Sequence, residues 1–124
     1  MTSSPLSPAS PSWYPVCPLD RLPVDRGVCV LVAGEQVALV RTQSGEVHAV
    51  DNLDPISGAM VMSRGIVGSR GDLPVLISPM HKQAYDLLTG ECLDKEGVWL
   101  TVHDVRLVGD HVEVGLVEAV RQPA

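Results

Sequence analysis

The residue types able to do chemistry gather in two short turns, Asp51-Asn52-Leu53-Asp54-Pro55-Ile56-Ser57-Gly58 and Ser78-Pro79-Met80-His81-Lys82-Gln83. His81 is the sharpest of them. A loop imidazole beside Lys82 can bond a partner's carboxylate, although loop histidines are more often simply solvated. Ser78, His81 and Asp86 have the residue types of a nucleophile, a base and its orienter. Ser78, however, precedes a proline, lies outside any nucleophile-elbow glycine pattern and has no evident oxyanion donors, so catalytic use is not expected. A zinc site takes four nitrogen or sulfur ligands, whereas His48, His103 and His111 fall on other strand-like runs with no thiolate pairing beside them. Cys17, Cys29 and Cys92 form no C-x-x-C pair and are odd in number, so free thiols in a reducing compartment are the expectation. Cys92 reads as a small buried apolar residue.

The two turns must be held by the strands that lead into them. Val47 to Val50 is apolar and runs into the first, Pro74 to Ile77 into the second, so both should project from the same end of a sheet. Met60, Met62 and Met80 bracket the turns. Side by side they would form an apolar tip edged by Arg64, His81 and Lys82, the composition of a partner site; the plainer alternative is that the methionines fill the end of the core.

Around this centre the chain reads as short strands separated by glycine and proline. Trp13 to Pro18 opens the domain, and Leu19 to Gly27 is a turn or one-turn helix. Val28 to Ala33, Gln36 to Thr42 and Glu46 to Val50 form a meander. The run Val28-Cys29-Val30-Leu31-Val32 is apolar at successive positions, which predicts cover on both faces. Ala59 to Met62 is a short helical or extended crossing. Thr101 to Val108 and His111 to Val117 alternate around Gly109-Asp110 as a terminal hairpin. No helical stripe exceeds two turns and no internal repeat is evident, so the expected class is all-β, a sandwich or barrel.

Composition limits the partners. The 124 residues suit one domain, with no Phe and an apolar content that favours strands. Residues 1–12 are expected to be a disordered tail, 13–117 the domain and 118–124 a frayed tail. A net charge of −6 without a Lys/Arg cluster argues against nucleic acid or an anionic membrane as partner. No run approaches a membrane span and no secretory start is seen, so a cytoplasmic protein is expected.

The two turns and their flanks resemble the Rieske iron–sulfur domain, whose loops read C-x-H and C-x-x-H. Registering Pro55 and Pro79 on the prolines of those loops places Asp54 and Ile56, then Ser78 and His81, at the four ligand positions. A Rieske [2Fe–2S] centre needs two thiolates and two imidazoles; only His81 is a usual ligand, so no metal or cofactor is expected on this chain. Trp13-Tyr14-Pro15-Val16-Cys17, Met62-Ser63-Arg64-Gly65-Ile66-Val67, Ile77 to Gln83 and Asp86 to Cys92 extend the likeness, which is to the small subunit of assimilatory NAD(P)H-dependent nitrite reductase, a Rieske-like domain without its cluster. The resemblance implies an all-β Rieske-like (ISP-type) β-sandwich with a cluster-type subdomain lacking the cluster. It further implies a non-catalytic partner of a large subunit that carries FAD, sirohaem, a [4Fe–4S] cluster and the NAD(P)H site, reducing nitrite to ammonium. Met60, Met62, Arg64, Met80, His81 and Lys82 are the candidate partner-facing residues. The rival readings are a Rieske-type ferredoxin component of an oxygenase, disfavoured by the missing thiolates, and a small stand-alone enzyme using His81.

Overall fold

The computed structural model describes residues 12–117; the expected tails, 1–12 and 118–124, lie outside that range but for Ser12. Nine strands and two one-turn 3-10 helices make up the regular structure of the described residues. The strands are β1 (Trp13–Pro18), β2 (Gly27–Val32), β3 (Glu35–Arg41), β4 (Val47–Asp51), β5 (Ile66–Arg70), β6 (Leu73–Ile77), β7 (Ala84–Asp86), β8 (Val102–Val108) and β9 (His111–Gly115). Six of them form one sheet in the order β1-β9-β8-β4-β3-β2, and β5-β6-β7 form a second. Every strand pairing within the two sheets is antiparallel. The small sheet is built from chain inserted between β4 and β8, so both ends of the insertion are anchored in the large sheet.

Two cores follow from this arrangement, and β3 belongs to both. Its residues Val37, Ala38, Leu39 and Val40 are all fully buried. Val37 and Leu39 pack with Leu22, Val112 and Val114 inside the curled large sheet, whereas Ala38 and Val40 face Leu76, Tyr85 and Leu87 of the insertion. Successive side chains of a strand point to opposite faces, so continuous burial means a layer on each side.

The expectation that β2 is covered on both faces is corrected. Val32 is buried, but Leu31 is 72% exposed and Cys29 is exposed. β2 ends the strand order of the large sheet, and at Cys29 and Leu31 the second layer does not cover it. An apolar run reports composition, not position in the sheet. The crossing at Ala59 to Met62 is extended rather than helical: Met60 pairs with Leu53, and only Met62–Arg64 makes a 3-10 turn.

That turn lies against the large sheet. A Cβ at Gly27 of β2 would collide with the Ser63 carbonyl, so glycine lets the two backbones touch. At the closing end, Arg106 of β8 bonds Glu113 of β9 at 2.8 Å and stacks 4.3 Å over the Trp13 ring, joining three strands. His103 bonds Asp51 at 2.7 Å through Nε2, while its Nδ1 accepts the Val117 amide. The Nε2–H tautomer satisfies both contacts, and the ring, only 6% exposed, is structural.

Candidate functional site

The two turns singled out from sequence lie side by side at one end of the molecule. Asp54 and Ser78 bring them together: the Ser78 hydroxyl donates to Asp54 Oδ2 at 2.5 Å, and both residues are essentially inaccessible. Asp54 Oδ1 accepts the amides of Ile56 at 2.9 Å and Ser57 at 3.3 Å. A buried carboxylate needs donors of this kind. Burial alone would raise its pKa, but the Ser78 hydroxyl and the Ile56 and Ser57 amides outweigh that and hold the carboxyl below its usual range.

Both turns are copies of one backbone device. In the first, the Asp54 amide donates to the Ala59 carbonyl, the Gly58 amide to the Asp54 carbonyl, and the Ile56 amide to the Asp54 side chain. In the second, the same three bonds run from Ser78 to Gln83, from Lys82 to Ser78, and from Met80 to the Ser78 hydroxyl. A third copy closes the far end of the small sheet: Asp86 to Glu91, Gly90 to Asp86, and Leu88 to the Asp86 carboxylate. The sequence has no internal repeat, and what recurs is a turn geometry. The copies share a capping Asp or Ser and a residue four places on with positive φ, at Gly58 (78°), Lys82 (62°) and Gly90 (87°). Such short, degenerate similarity has a signal only in D-x-x-[ST]-G, which the second copy lacks.

Asn52 fixes the first turn to the large sheet and was missed in the sequence. Its amide nitrogen lies 2.9 Å from Gln36 Oε1 and 3.2 Å from the Met60 carbonyl, and its oxygen accepts the Ser63 amide at 2.7 Å. The Asn52 side chain therefore holds turn, strand and 3-10 helix in one register. Beneath the tip the buried Tyr85 hydroxyl has its pKa raised by burial, with the Asp54 charge adding to the effect.

The candidate partner-facing residues divide. Met60 and Met80 are 43% and 50% exposed, and Arg64, His81 and Lys82 are exposed. Met62 is corrected: it is fully buried in the core beside Ala38 and Leu76 and faces no partner. Ser78, His81 and Asp86 do not converge as a triad, because the Ser78 hydroxyl is bonded to Asp54 and Asp86 caps the turn at the other end of β7. Two surface cavities, of about 370 and 460 Å³, are lined by other segments and include no residue of either turn.

Comparison with known proteins places this architecture. Residues 12–115 match the profile of the Rieske-like [2Fe-2S] domain. The chain is 38% identical over 97 residues to the NADH nitrite reductase small subunit of Salmonella typhimurium, which covers 77% of this chain and 89% of that one. The chain belongs to the Rieske-like [2Fe-2S] domain family. A crystal structure from Mycobacterium tuberculosis, assigned as an NADH-dependent nitrite reductase small subunit, superposes on this Rieske-like chain with a TM-score of 0.84. That match has 46% identity and covers 89% of this chain and 99% of that one. A stretch of the NAD(P)H nitrite reductase large subunit of Klebsiella oxytoca is also 42% identical over 89 residues, 70% of this chain but only 9% of the length of that relative.

The family's cluster can be tested against the residues at its two loops. Asp54 and Ser78, at the positions of the first ligand in each loop, are bonded to each other across the space between the loops. Ile56 has no lone pair, which leaves His81 as the one usual ligand among the four. Cys29 and Cys17 belong to β2 and β1, and Cys92 pairs with Tyr85, so no thiol stands in either loop of this Rieske-like domain. Residues that offer one imidazole and no thiolate do not fit a [2Fe–2S] cluster.

Proposed function

We propose that this chain is the non-catalytic small subunit of a cytoplasmic NAD(P)H-dependent nitrite reductase, and that it docks on the catalytic large subunit through the tip formed by the two turns. The observation that carries the reading is the Asp54–Ser78 bond. A Rieske-like frame has its loops closed on each other by a carboxylate and a hydroxyl where electron transfer would require thiolates, so protein contact is the remaining use of an exposed apolar and basic tip. Identity to small subunits over most of their length supports the assignment. The Klebsiella relative supports the choice of partner, since a large subunit there contains a stretch similar to this chain. On this reading FAD, sirohaem, the [4Fe–4S] cluster and the NAD(P)H site belong to the large subunit, and Met60, Arg64, Met80, His81 and Lys82 face it.

The experiment is nitrite-dependent NAD(P)H oxidation by the purified large subunit alone and with this chain added, alongside co-elution of the two. Complex formation with higher or longer-lived activity is the expected result. A chain that neither co-elutes nor changes the activity or stability of the large subunit refutes the proposal.

A further inference from the structure

We infer that the tip recognises an apolar face rimmed with carboxylates on the large subunit, and that Lys82 is kept at its position for that contact. The inference rests on the function proposed above and adds the chemistry of the partner surface.

The first observation is charge segregation. The chain carries −6 overall, yet residues 55–85 hold Arg64, Arg70 and Lys82 against a single acid, Asp72. Asp72 lies in the β5–β6 turn, at the far end of the small sheet from Ser78, and Arg70 is already paired with Asp94 at 2.9 Å. Of the two acids in the first turn, Asp54 is buried beneath the tip and Asp51 is paired with His103 at 2.7 Å. Arg64 and Lys82 are exposed and form no ion pair among the described residues, so the exposed formal charge carried by the two turns and the 3-10 helix is positive.

The second observation is independent and concerns the backbone. Three copies of the same turn need a left-handed residue at their fifth position, and two of them use glycine, at Gly58 and Gly90. The third places Lys82 there, at φ 62°. A side chain in this region is strained where glycine is not, and nothing in the packing demands lysine, because the residue is exposed. Its ammonium therefore serves something outside the chain. The residue before it departs from the pattern too: the Ser57 and Thr89 hydroxyls accept the amides of Ala59 and Glu91, two residues on, and His81 stands in their place.

The third observation is exposed apolar area on the same segments. Met60, Met80 and Ile66 are each at least 43% exposed, and Ile66 pairs with Ile77, which leads directly into Ser78. Exposed apolar side chains accompanied by two unpaired cations fit a protein surface of complementary shape, with carboxylates opposite the cations to steer the encounter.

The test titrates the full-length chain against its cognate large subunit, at about 50 and 500 mM salt. Affinity should fall about tenfold over that range, and Lys82→Glu and Arg64→Glu should each weaken binding about three- to tenfold, mostly through slower association. Arg21→Glu is the control, since Arg21 is exposed on the 3-10 turn Leu19–Arg21, whose flanking carbonyls bond Arg41 at the end of β3 away from Asp51, and it should change affinity less than about twofold. Lys82→Gly separates strain from contact: binding weakens about threefold while Tm stays level or rises. Salt-indifferent binding, or Lys82→Glu and Arg64→Glu variants that bind like the parent, would overturn the docking surface and leave the small-subunit reading standing. Absence of any binding by the unsubstituted chain refutes that reading itself. Capture by phosphatidylserine vesicles in place of the large subunit would also refute the inference.

Discussion

Asp54 shows how one side chain can tie together two loops at the position of the family's first cluster ligand. Its carboxylate satisfies the Ser78 hydroxyl and two amides of its own turn, so Asp54→Ala leaves three donors without acceptors and should cost about 2–4 kcal/mol in a denaturant titration. The same residue sets a pH dependence. Its folded pKa lies below the unfolded one, so its contribution is present above about pH 4 and is lost as pH falls through the lower folded value. His48 acts in a different window. Burial lowers its pKa, with Glu46 only partly opposing, and Nε2 is buried with no hydrogen-bond partner among the described residues. Protonation therefore favours the unfolded chain, and stability should begin to fall as pH drops below about 6.5. Thermal melts at stepped pH should show both declines, with Asp54→Asn reducing the acid one, to which Asp94 also contributes, and His48→Gln reducing the near-neutral one. Melts in which neither substitution alters its own window would refute these assignments.

At the scale of elements, the repeated turn explains why short segments hold firm positions. Each copy uses a side-chain cap and two backbone bonds to fix six residues, which offsets the entropy of an otherwise open loop. Gly90 is the least replaceable member. Its φ of 87° suits glycine, and a Cβ there would run into the Leu100 carbonyl, so the third turn and the chain entering β8 must separate to accommodate one. Gly90→Ala should cost about 2–4 kcal/mol, read as a lower denaturation midpoint with unchanged slope. Gly58→Ala, with no atom near the added Cβ, should cost only the backbone strain, about 1–2 kcal/mol. Equal losses at the two positions would show that the close approach to Leu100 does not matter.

For the whole molecule, the two cores decide which surface is free. β3 is sealed between them, the small sheet packs on one face of the large one, and Met80, His81 and Lys82 stay exposed on the second turn. Met80→Asp should therefore leave the isolated domain folded, because Met80 lies at the surface, yet it should abolish co-elution with the large subunit by forcing an unpaired carboxylate into an apolar contact. Retained co-elution would remove Met80 from the interface.

The sequence by itself determined the strands, the pairing of the two turns and the mismatch between their residues and an iron–sulfur cluster, because these depend on local pattern and on which side chains carry lone pairs. It could not tell Met62 from Met60, although the two are nearly adjacent: one is core and the other surface because the chain twists into a 3-10 turn between the sheets. Nor could it place the doubly covered strand, since β2 and β3 are both apolar and only sheet order makes one an edge and the other a shared wall. The Asp54–Ser78 bond spans 24 residues, and the repeated turn is written in backbone hydrogen bonds that different sequences can make. Tertiary structure decided these points because burial and long-range pairing depend on which elements come together, and local pattern does not record that.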